Sequence, residues 1–107
     1  MEIDGFDWDK GNELKNFEKH GVAIEEIQEV FSNQPLFMFP DLKHAQVEKR
    51  SIAFGKSNEG RLLVVAFTMR QKGEKALVRP ISARPMHRKE RTIYEKAISK
   101  IQDSEGV

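Results

Sequence analysis

The apolar residues of this chain switch from helical spacing to a period of two at Pro35, and that switch limits the folds open to it. Before it, Ile24, Ile27, Val30 and Phe31 recur at helical intervals while Glu25, Glu26 and Glu29 fall on the other side. A helix is therefore predicted to stop at Asn33-Gln34-Pro35, because the residue before a proline is driven out of the helical region. After Pro35 the period is two. Residues 36–39 read as a short strand stopped by Pro40, and residues 41–49 as a polar loop. Residues 50–56 alternate, with Ile52 and Phe54 on one face, and 57–60 form a turn. The strongest strand covers 61–70, where Leu62 to Phe67 is apolar on both faces, the pattern of a central strand covered on both sides. Residues 71–74 turn the chain back into a strand over 76–83, which completes an antiparallel meander. Pro80 removes a donor from that last strand, so an edge position or a bulge is required there.

The two ends carry the other elements. Phe6-Asp7-Trp8 reads as a short first strand or an anchored arm. Asp9 can cap a helix that places Leu14 and Phe17 on one side and stops at Gly21, although Gly11 costs such a helix about 1 kcal/mol. A closing helix is predicted over 86–101, with Met86, Ile93, Tyr94, Ala97, Ile98 and Ile101 gathered on one side. Glu90 falls in the middle of that apolar side and needs a cation, because an unpaired buried charge is very costly. Helical winding sets Arg91 about 100° away from it, which leaves Arg84 as the better partner. The expected fold is a single α+β domain over 1–107. It has two N-terminal helices, a curved antiparallel sheet of about four strands and a closing C-terminal helix.

Charge is unevenly distributed. Residues 1–48 hold 4 Lys/Arg against 11 Asp/Glu, and residues 49–107 hold 14 against 6, which leaves the whole chain at +1. The basic half is a candidate for an anionic partner such as a nucleic-acid backbone, unless the two halves neutralise each other across the fold. No cysteine is present, which excludes disulfides, thiolate metal sites and a cysteine nucleophile. No apolar run approaches the roughly 20 residues of a membrane span, and the acidic N-terminus does not resemble a signal peptide. A cytoplasmic location is expected.

Several segments, in order, resemble the BrnT family of type II toxins, whose fold is like that of the RelE ribonucleases. They are Phe6-Asp7-Trp8-Asp9, Asn16 with Lys19-His20-Gly21-Val22, Glu25-Glu26 through Val30-Phe31, and Gly60-Arg61-Leu62-Leu63-Val64-Val65. Ile81-Ser82-Ala83-Arg84, Glu90-Arg91 and Tyr94-Glu95 complete the set. Two departures stand out: Pro80 where the family usually has a β-branched residue, and Met86-His87 where small or hydroxylic residues are commoner. The resemblance implies an endoribonuclease that arrests translation. It also implies a BrnA-like antitoxin that binds DNA, sequesters the toxin as a heterotetramer of two toxins and two antitoxins, and carries the pair to its own operator.

Such chemistry has clear requirements. RNA supplies its own nucleophile, the 2′-hydroxyl, so the protein must provide a base, cations for the charge building on phosphorus, and an acid for the 5′-oxygen. Arginine suits the second task, since its planar fork holds two phosphate oxygens and stays charged. Arg61, Arg79, Arg84, Arg88 and Arg91 offer that material. Without a bulge at Pro80, Arg79 and Arg84 point to opposite faces of the sheet; with one, they share a face. For proton transfer the candidates are Lys19, His20, Tyr94 and His87, and the resemblance favours Lys19 and His20. His20 can instead cap a helix end, and Tyr94 can be a core tyrosine. Trp8 reads as a core anchor, while Phe37 and Phe39 either pack inward or stack nucleobases. His20, His44 and His87 are too scattered for zinc, and Asp7 with Asp9 gives no magnesium ligand set. No metal or cofactor is expected. A non-catalytic nucleic-acid-binding module, or one that only pairs with an antitoxin, is the alternative.

Overall fold

Leu63, Val65 and Phe67 alternate with Leu62, Val64 and Ala66 along one strand, and the sheet is organised around that alternation. The computed structural model describes residues 3–13, 19–43 and 49–105. In chain order the elements are β1 (Gly5–Phe6), α1 (Ile24–Ser32), β2 (Phe37–Pro40), β3 (Ser51–Lys56), β4 (Leu62–Lys72), β5 (Lys75–Pro85) and α2 (Arg88–Glu105). They form one five-stranded sheet in the order β1-β5-β4-β3-β2, which puts the doubly apolar β4 in the middle.

The class is α+β, but the expected arrangement needs correction. The sheet has five strands and is mixed, because β1 lies parallel to β5, with Gly5 beside Leu77 and Phe6 beside Val78. Two residues are too few to show a period, so the sequence could not reveal this strand's direction. Backbone bonds from Asp4 N–H to the Ala76 carbonyl and from Asp7 N–H to the Val78 carbonyl hold it in place. Two N-terminal helices are not seen among the described residues; α1 is the one helix there with a full span. Asp9 closes a turn, its carboxylate accepting from Gly11 N–H at 2.8 Å while Asn12 Oδ1 accepts from Asp9 N–H at 2.8 Å. The middle of the expected first helix, residues 14–18 with Leu14, Asn16 and Phe17, lies outside the described residues. Lys19 and His20 are helical, and Gly21 follows with φ +65°, a conformation that favours glycine.

Val22, Ile27 and Val30 bring α1 onto one face of the sheet, against Ala53, Leu63, Val65, Phe67, Val78 and Ala83. The approach is close enough that Gly55 is required: a Cβ there would lie 2.9 Å from Val30 Cγ1 and 3.2 Å from the Val30 carbonyl oxygen. Phe31 meets Phe67 edge-on at 5.1 Å between ring centres, and Phe6 at 5.7 Å. Ala23 has no side chain to cap α1, but Glu26 reaches back to accept from its N–H at 3.2 Å, the return half of a capping box.

The other face is covered by α2, and less completely. Tyr94 and Met86 are buried against Val64, with Phe37, Ile52, Phe54, Leu62 and Ile98 around them. The expected apolar side of the helix is therefore only partly used. Ile93 stays 68% exposed and Ile101 40%, because the helix rests on Tyr94 and Ile98 and leaves its neighbouring row at the rim.

Pro80 is accommodated by a bulge. Register runs from Ala66 beside Ser82 to Phe67 beside Pro80, so Ile81 is the extra residue. The free Pro80 carbonyl accepts from Asn12 Nδ2 at 2.9 Å. As a result Arg79, opposite Thr68, and Arg84, opposite Val64, lie on the same face, the one that carries α2.

Candidate functional site

Where β5 runs into α2, the chain passes Arg84, Pro85, Met86 and His87 before the helix begins. Arg84 grips Glu90 with both ends of its fork, Nη1 to Oε1 at 2.7 Å and Nη2 to Oε2 at 2.9 Å. That is the partner helical winding favoured. Glu90 also accepts from His87 N–H at 2.7 Å, satisfying a donor at the start of α2. The Arg84 hydrogen bonds hold the Glu90 carboxyl below its ordinary range against the opposing effect of burial, and Glu90 in turn holds the Arg84 guanidinium up. The His87 ring is largely exposed, with Nδ1 3.7 Å from Glu90 Oε1.

Arg88 and Arg91 stand exposed on the first turns of α2, three residues apart and so on one side of the helix. Among the described residues neither enters an ion pair, in contrast to the other three arginines of interest. Arg79 is held by Asp9 Oδ2 at 2.9 Å, with Asp7 Oδ2 at 3.7 Å. Lys72 Nζ sits 3.1 Å from the other Asp7 oxygen. The Gly11 N–H and then Arg79 keep the Asp9 carboxyl below its usual range. Arg61 donates to the Gly21 carbonyl at 2.9 Å and to Glu26 Oε1 at 3.0 Å, fastening the start of β4 to the approach to α1.

The proton-transfer candidates are separated by this geometry. Lys19, exposed, and His20, half-buried, precede Gly21 and therefore sit at the Arg61 corner. That corner belongs to the same end of the sheet as the β5–α2 junction, since Leu63 pairs with Pro85 and Met86 N–H bonds to the Leu62 carbonyl. Tyr94 is 2% exposed, and its hydroxyl donates to the Pro35 carbonyl at 2.6 Å. Burial pushes the phenol up, away from any use as a base. Trp8 stacks on Phe6 at 6.3 Å and packs against the α1-side core. Among the described residues no group of three or more His, Asp or Glu side chains could hold a metal ion, and no helix is long and apolar enough to cross a membrane.

Sequence reasoning weighed Asp9 as a helix cap and Asp7 with Asp9 as metal ligands, and missed both as partners of Arg79. The signal was present: two carboxylates two residues apart in an extended segment share a face. It missed too that Phe37, Phe54, Ile93, Tyr94 and Ala97, with Phe39 and Glu90, enclose a groove of about 200 Å³ between α2 and the β2–β3 edge.

A family model described as "Ribonuclease toxin, BrnT, of type II toxin-antitoxin system" matches residues 8–90. Comparison with curated proteins gave no match.

Proposed function

The chain belongs to the BrnT family of ribonuclease toxins of type II toxin–antitoxin systems, and we propose that it cleaves RNA endonucleolytically without a metal, at the β5–α2 junction. The observation that carries this reading is the exposed pair Arg88 and Arg91 beside the braced Arg84–Glu90 pair at the start of a helix. Backbone phosphate would meet Arg88 and Arg91, with the positive end of the α2 dipole behind them. Arg79 and Arg84 share the sheet face at opposite ends of roughly 13 Å of strand, too far apart to hold one phosphate, and each is already held by a carboxylate. Arg84 mainly orients the junction through Glu90.

The 2′-hydroxyl attacks the neighbouring phosphorus, its proton passes to a base, and the 5′-oxygen leaves with a proton from an acid. Lys19 and His20 serve this transfer from the Arg61 corner. Tyr94, sealed against Pro35, acts through packing. In the cytoplasm the toxin would inhibit translation, and a BrnA-like antitoxin would neutralise it in a heterotetramer of two toxins and two antitoxins, touching operator DNA only through the antitoxin.

Purified protein incubated with RNA and EDTA is expected to produce discrete cleavage products, and induction alone is expected to arrest bacterial growth. Intact RNA and normal growth would overturn the ribonuclease reading. Binding that falls steeply with salt, without cleavage, would leave a nucleic-acid-binding module. Arg84→Lys keeps the charge and removes the fork. Lost cleavage at unchanged thermal stability assigns Arg84 to the site, and lost folding assigns it to structure alone.

A further inference from the structure

We propose that the groove between α2 and the β2–β3 edge is the seat of an acidic amphipathic helix of the antitoxin, an inference that rests on the toxin–antitoxin reading above. Ile93, Ala97 and Ile101 follow one another at intervals of four along α2, and so form a single ridge on the helix surface. Phe37, Phe39 and Phe54 supply the opposite wall, and Phe39 is 51% exposed. An apolar row left uncovered beside a ready groove is the arrangement that receives the apolar side of a partner helix.

Charge selects the occupant. Lys89, Lys96 and Lys100 are exposed and wind to within about 60° of Ile93 on α2, beside a Glu90 already held by Arg84. The β2 wall, Phe37 to Pro40, carries no charge. A helix with acidic flanks would be drawn to this rim. A second copy of the chain, joined groove to groove, would set the same three lysines against one another. A nucleobase would fare poorly as well. The groove is lined almost wholly by carbon, and its one carboxylate already accepts from Arg84 and His87, so the edge of a base would lose water without gaining partners.

The test is calorimetric titration of the purified chain with its purified cognate antitoxin, wild type first. Ile93→Glu is expected to weaken Kd about tenfold or more, and Ile93→Leu to change it by less than about twofold. Lys96→Glu with Lys100→Glu is expected to weaken binding about fivefold and to flatten its salt dependence. Ile93 is exposed, so Ile93→Glu should keep its melting temperature and the RNA cleavage rate of the free toxin. No binding by the wild type would overturn the pairing itself, and this proposal with it. Wild-type binding that Ile93→Glu leaves unchanged would overturn the groove alone. Two further results, each with antitoxin affinity retained in Ile93→Glu, would also overturn it: lost cleavage would assign the groove to RNA, and lost self-association in sedimentation would assign it to a second copy.

Discussion

The two faces of the sheet are built from similar residues and end in different states. On the α1 face, Val22, Ile27 and Val30 meet the sheet so closely that only glycine fits at position 55, and charged groups stay at the margins. On the α2 face, Tyr94 and Ile98 hold a longer helix while Ile93 and Ile101 stay in contact with solvent. Arginine and glutamate are admitted there as a matched pair. The difference teaches where each kind of work can be done. A closed face fixes the backbone, and a half-covered face keeps cations and apolar side chains available to a partner.

Substitutions can break that contrast. Ile27→Ala, on the closed face, is expected to cost about 2–5 kcal/mol in urea denaturation. Ile93→Ala, equal in chemistry, should stay within about 0.5 kcal/mol. Similar losses at both sites would mean that α2 is as tightly packed as α1. Gly55→Ala places a methyl against Val30 and should destabilise by roughly 1–3 kcal/mol, unless α1 can shift outward. Tyr94→Phe removes the hydrogen bond to Pro35 and keeps the ring, so a loss of about 0.5–1.5 kcal/mol is expected, with little change in cleavage. Cleavage that collapses at unchanged stability would return the hydroxyl to the chemistry.

Acid is expected to act mainly on the α2 face. Glu90 holds its proton less tightly when folded than when unfolded, so its contribution is complete above the ordinary glutamate value of about 4.3. It is lost as the pH falls through the lower folded value. Melting temperatures measured between about pH 6 and pH 3 should fall more for wild type than for Glu90→Gln. Parallel curves would show that the Arg84 pair adds nothing to the folded state.

Much of this was legible in the residues. The helix from Ile24, the central position of β4, the need for an edge or a bulge at Pro80 and the pairing of Glu90 with Arg84 each follow from a period, a missing donor or a charge on an apolar side. The parallel β1 was not, because a two-residue strand has no period and its partner lies some seventy residues away. The capture of Arg79 by Asp7 and Asp9 was obscured for the same reason, since it depends on where that arm docks.

The sequence by itself determined the α+β class, the order of the meander, the chemistry that zero cysteines rule out, and the family. Tertiary structure decided which arginines stay available. Arg61, Arg79 and Arg84 are held by carboxylates, while Arg88 and Arg91 enter no ion pair among the described residues. It also decided that the apolar side of α2 would be only half covered. Both outcomes depend on which groups distant segments bring within a few ångströms of each other. Local spacing sets the direction of a side chain along its own element and leaves its neighbours across the fold unspecified.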